Sequence, residues 1–78
     1  MGDLIMSLPM SLLERGAYAI VKDMRFKSDI IQQLFNFGIK PGVKFKVILK
    51  STDFIIRLGQ AKVGIDKALC SNIIVSIL

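Results

Sequence analysis

The hydrophobic and polar positions of this chain change period several times, and each change marks an element. After Gly16, Ala17, Ala19 and Val21 alternate against Tyr18, Ile20 and Lys22. Period two predicts a strand, and two apolar sides predict cover on both faces. The period then lengthens. Ile30, Leu34 and Phe37 fall at i, i+4 and i+7, with Ile31 and Phe35 widening the stripe, which is helical spacing. Asp29 is placed to cap this helix, and Gln32 three residues on completes a capping-box variant. Gly38 is placed to stop it, because glycine takes positive φ at least cost. Pro41-Gly42 fits the centre of a type II turn: proline presets φ and glycine accepts the positive φ that follows.

Residues 43–50 return to period two, with Val43, Phe45, Val47 and Leu49 against Lys44, Lys46, Ile48 and Lys50. One apolar side predicts a half-buried strand. Ser51-Thr52-Asp53 predicts a turn, Phe54 to Leu58 a return strand, and Gly59-Gln60 a second turn into a strand over 61–65. Asp66 is placed to cap a short helix, Lys67 to Ser71, before Asn72 and a closing strand over 73–78. The order is strand, helix, three-strand meander, short helix, strand. About five short strands in so short a chain predict a mainly β protein, a small barrel whose closure removes its edges. Residues 1–9 are expected as a loose leader and residues 10–78 as the single domain.

Composition narrows the function. Hydrophobic residues make up 53% of the 78 positions, which suits a dense small core with apolar surface left for a partner. No apolar run reaches the roughly 20 residues of a membrane span, so no membrane insertion is expected. Asp3 replaces the basic start of a signal peptide, and Met6 stands where myristoylation wants Ser or Thr. The lone cysteine, Cys70, has no disulfide partner. These readings point to the cytoplasm.

Charge is uneven. Residues 1–39 carry four basic and four acidic groups, whereas residues 40–78 carry seven and two, so the whole net charge of +5 sits in the second half. An acidic partner is implied. The candidate docking residues are Lys44, Lys46 and Lys50, expected on one side of one strand, with Arg57 joining from the next.

Enzymatic classes lose support at once. The chain has no histidine, so Cys70 lacks a base to activate it, and Lys67 one helical turn away is a poor substitute. No catalytic residue, cofactor site or metal site is assigned: one thiol and scattered carboxylates cannot furnish a soft-metal site. Of the phenylalanines, Phe35, Phe37 and Phe45 are expected in the core, and Phe26 and Phe54 on the surface as the candidates for base stacking.

The residues also carry a resemblance. Met10, Leu13 and Gly16 ahead of the first strand, then Ala19, Val21 and Met24, then Leu34, Phe37, Gly38, Ile39, Pro41 and Gly42, and finally Cys70 before Ile73 and Val75, resemble the ferrous iron transport protein A (FeoA) family. The resemblance covers residues 10–78. It departs from the family at Gln32 and Gln33, where an arginine is usual, at Val63-Gly64-Ile65, and in the short loop at Ser51 to Asp53. It implies an SH3-like barrel. It also implies a cytosolic accessory protein that binds the ferrous iron transporter of the membrane, whose cytosolic part includes a GTPase-like domain, and that does not carry iron itself. Nucleic acid is the alternative partner, suggested by the basic half, and self-association through apolar surface is a further expectation.

Overall fold

The computed structural model describes residues 7–78. Its elements are β1 (Ser7–Pro9), a 3-10 turn (Met10–Leu12), β2 (Tyr18–Met24), α1 (Ser28–Asn36), β3 (Lys44–Lys50), β4 (Asp53–Leu58), β5 (Ala61–Asp66), α2 (Lys67–Cys70) and β6 (Ile73–Ile77). The strands form one antiparallel sheet in the order β1-β6-β2-β3-β4-β5. It curls round a single core, to which Val21, Phe45, Val47, Phe54, Ile56, Ile65, Ile73 and Val75 contribute. Every buried residue among those described is apolar, and no buried side-chain nitrogen or oxygen among them lacks a partner. The mainly β class and the SH3-like barrel are therefore the fold of this chain.

Residues 7–9, expected within the leader, belong to the sheet. Ser7–Pro9 pair with Ser76, Val75 and Ile74 as a sixth strand, and Met10 and Leu13 behind it are each 1% exposed. Residues 1–6 of the expected leader lie outside the described residues. Closure is also corrected. Among the described strands β1 pairs only with β6 and β5 only with β4, so the hydrogen-bonded ladder stays open between them. Cover on both faces of β2 is overturned as well: Ala19 and Val21 are buried, but Tyr18 is 56% exposed.

The helix start moves too. α1 begins at Ser28 behind Lys27, whose side chain caps nothing, and Asp29 accepts instead from its neighbour Ile30 N–H at 2.9 Å. No side-chain capping box forms. The helix stop is where the sequence placed it. Gly38, at φ +88°, donates to Phe35 O, and Ile39 N–H donates to Leu34 O, both at 2.9 Å. This is a Schellman motif, and its hydrophobic pair is Leu34 with Ile39, both buried. The stop turns the chain towards Pro41-Gly42. There Gly42, at φ +93°, donates to Val21 O, and Val43 donates to Lys40 O, which delivers β3 beside β2. At the other end of the chain, Asp66 caps α2 by accepting from Ala68 N–H at 2.9 Å.

Candidate docking face

The surface of interest is the outer face of β2, β3, β4 and β5. Strand alternation creates it: Ala19, Phe45, Ile56 and Ile65 turn inward, so the residues beside them turn outward. Register then aligns these outward residues in a row across the sheet. Tyr18 lies opposite Lys46, Lys46 opposite Arg57, and Arg57 opposite Lys62. Lys46 Nζ sits 5.1 Å from the centre of the Tyr18 ring, a cation–π contact that holds one end of the row. Lys44 lies two residues before Lys46 on the same side. Tyr18, Lys44, Lys46 and Arg57, with Phe45, Gly59 and Leu78, line a shallow depression of about 230 Å³.

Lys50 does not belong to this face. The β3–β4 pairing slips by one residue between Val47 and Leu49, a bulge at Ile48. Beyond the bulge Leu49 pairs with Ile55, and Lys50 pairs with the buried Phe54. The bulge has reversed the alternation, leaving Leu49 41% exposed although its sequence side was the apolar one. Lys50 Nζ lies 5.6 Å from the Phe54 ring centre and 3.4 Å from Glu14 Oε2. Of the four residues proposed from sequence, Lys44, Lys46 and Arg57 are brought together and Lys50 is set apart.

Lys62 was missed, although a signal was present. A two-residue turn at Gly59-Gln60 makes opposed residue numbers in the hairpin sum to a constant, which pairs Arg57 with Lys62. The row therefore holds three cations in adjacent strands, about 4.8 Å apart by strand spacing. Like charges directly opposite one another are unfavourable. None of the three has a carboxylate within 4.0 Å among the described residues, where the ion pairs are Arg25 with Asp23 and Lys50 with Glu14.

The aromatic expectations largely invert. Phe45 is buried as expected, but so is Phe54, at 0% exposure, and Phe26 is partly buried against the core. Phe35 and Phe37 are exposed, the latter by 62%. The α1 stripe turns inward around Leu34, and Phe35 and Phe37 fall to its solvent side. Cys70 is fully buried. Burial, followed by the charges of Asp66 and Asp53, pushes its thiol up from 9.0 to about 12, against a smaller opposing effect of Lys67. Its Sγ donates to Asp66 O at 3.6 Å. A thiol held protonated in the core is no nucleophile at neutral pH. Among the described residues no three His, Cys, Asp or Glu side chains gather to hold a metal ion, and no helix is long and apolar enough to cross a membrane.

The sequence profile of the FeoA domain matches residues 8–77. No curated protein sequence matches the chain. Among solved structures it is similar to an iron uptake regulatory protein (FeoA), at 27% identity and TM-score 0.86, covering 94% of this chain and 99% of that one. It is also similar to the FeoA protein of Chlorobium tepidum, at 20% identity and TM-score 0.83, over 91% of this chain and 70% of that one. The IdeR protein of T. acidophilum shares the fold at 15% identity and TM-score 0.87, and there the chain spans 37% of the larger protein. The chain belongs to the FeoA family, a family of small accessory proteins linked to ferrous iron transport.

Proposed function

We propose that this FeoA-family chain is a cytoplasmic accessory protein of ferrous iron transport that acts by binding the cytosolic part of the membrane iron transporter. Family membership across residues 8–77 carries this reading. The outer sheet face supports it, because a row of cations without an ion-pair partner among the described residues is a surface for meeting an acidic one rather than a site for chemistry. Regulation of the transporter would follow from preferring one of its states, since a ligand shifts an equilibrium only by its difference in affinity for the two states. The test is a titration of the purified protein against the transporter's cytosolic domain, with and without guanine nucleotide, at two salt concentrations. Saturable binding weakened by Lys44→Glu with Lys46→Glu is the expected result. No binding under any condition removes the reading.

A second reading, a nucleic-acid-binding barrel, is favoured by the +5 net charge and by exposed Phe35 and Phe37. It requires an affinity that falls log-linearly with salt. Absence of DNA and RNA binding at low salt removes it.

A further inference from the structure

Among the described strands, β5 has a neighbour on one side only. Which of its backbone groups are free follows from the hairpin. β4 and β5 join through Gly59-Gln60, with Gly59 at φ +60°. In a two-residue hairpin the residues flanking the turn form a hydrogen-bonded pair, and bonded pairs alternate from there. Leu58 with Ala61, Ile56 with Val63 and Phe54 with Ile65 are thus the bonded pairs. Lys62 and Gly64 turn their N–H and C=O groups away from β4. No other backbone hydrogen bond among the described residues engages residues 61–65. Asp66 opens α2, so the free window of the edge is Lys62 to Gly64.

The side chains suit a visitor. Gly64 is exposed and presents nothing to collide with, for even a Cβ built there would meet no atom within 4 Å. Lys62 ends the row Lys46–Arg57–Lys62 at this edge. A strand laid beside β5 extends that row by one position, and its residue opposite Lys62 faces the same side. A carboxylate there would meet the end of an unfavourable row of like charges.

We propose that β5 accepts an added strand: an acidic, extended segment of a partner protein, bonded through its backbone to Lys62 and Gly64 and through a carboxylate to Lys62 and Arg57. The proposal rests on the reading that the chain works by docking, and it names the edge and the partner's chemistry. A second copy of the chain is a poor occupant, because two rows of cations would meet at the seam. Nucleic acid and lipid headgroups fit less well than a polypeptide. The edge offers C=O groups as well as N–H groups, and phosphates can answer only the donors.

The test uses the full chain and a synthetic peptide of about eight residues alternating threonine and glutamate, long enough to cross the window. Amide resonances are followed during titration, and exchange protection is measured at saturation. Expected are shifts at Lys62, Gly64 and Arg57 and new protection of the Lys62 and Gly64 N–H groups. Lys62→Glu is expected to weaken the glutamate peptide about tenfold and to transfer preference to a threonine–lysine peptide. Gly64→Pro removes one outward donor while sparing the β4 ladder, and is expected to abolish binding of both peptides. Should that variant fail to fold, the charge swap at residue 62 decides alone. No shifts, shifts without protection at Lys62 and Gly64, an affinity indifferent to Lys62→Glu, or tighter binding of a short oligonucleotide or of anionic vesicles would each overturn the proposal. The wild-type protein and Lys62→Glu are then taken to the transporter's cytosolic domain. Failure there with the peptide result intact removes the proposed function and leaves strand addition standing.

Discussion

The two halves of β3 each set lysine beside apolar residues, yet they end in different situations. In the first half Lys46 lies over the exposed Tyr18 ring on the outer face, with Arg57 on its other side in the row and no carboxylate near among the described residues. In the second half Lys50 lies over the buried Phe54 ring with Glu14 at 3.4 Å, and its side chain is only 22% exposed. One extra residue at Ile48 separates the two. Chemically equivalent lysines four residues apart are thus divided into one on the outer face of the sheet and one that lies against the buried Phe54 ring. Charge in a sequence shows how many cations a strand has; only register shows which of them act together.

Removing the ring under Lys50 should have the largest effect. Phe54→Ala empties a position with no exposure and should cost about 3–5 kcal/mol, read as a fall in the urea unfolding midpoint. A change near zero would mean that Phe54 stands on the surface and that the second half of β3 is not tied to the core. Next comes the stop that delivers the first half. Gly38→Val forces a β-branched residue to φ +88°, while its Cβ makes only an ordinary contact, 3.8 Å from Leu58 Cδ1, so backbone strain should cost more than about 1 kcal/mol. An unfolding midpoint equal to that of the wild type would show that α1 ends without its Schellman turn.

These two positions also show what the sequence could carry. The helix stop, the Pro41-Gly42 turn, the α2 cap and the meander were legible because each rests on a local conformational need met by residues a few places apart. The bulge was not. Nothing in Val47-Ile48-Leu49 marks the slip, since all three suit either face, and the pairing partner in β4 decides it. The aromatic assignments failed for the same reason. Phe54 follows a turn and looked peripheral, but it lies opposite Ile65 and is enclosed by the curled sheet. Phe37 lies one residue beyond α1, where the chain already leaves the helical path, so a spacing of seven no longer returns it to the face of Ile30. Asp29 lost its capping role to a start two residues earlier, behind Lys27. Lys62 was legible in principle through hairpin arithmetic, whereas its free backbone groups required knowing that β5 has no second neighbour among the described strands.

The charge variants sharpen the comparison at smaller energies. On the proposed function, Lys46→Glu with Arg57→Glu should weaken binding to the transporter's cytosolic domain by about tenfold or more, roughly 1.4 kcal/mol, while the unfolding midpoint stays near that of the wild type. Lys50→Glu, which also reverses charge on β3, should change that affinity far less. Equal losses from the two substitutions would mean that the partner senses net charge and not the row.

Lys50→Met isolates what the second half gains from its cation. The ion pair with Glu14 contributes little, because Glu14 is 83% exposed and water screens the attraction. Methionine keeps an apolar stem and a polarizable sulfur over the Phe54 ring, so most of the packing survives. A loss below about 1 kcal/mol is therefore expected, with no change in docking. A larger loss would show that the ammonium group itself, and not the stem, holds Lys50 against the Phe54 ring. A loss of docking without a loss of stability would place Lys50 back on the functional face and make the bulge part of the binding surface.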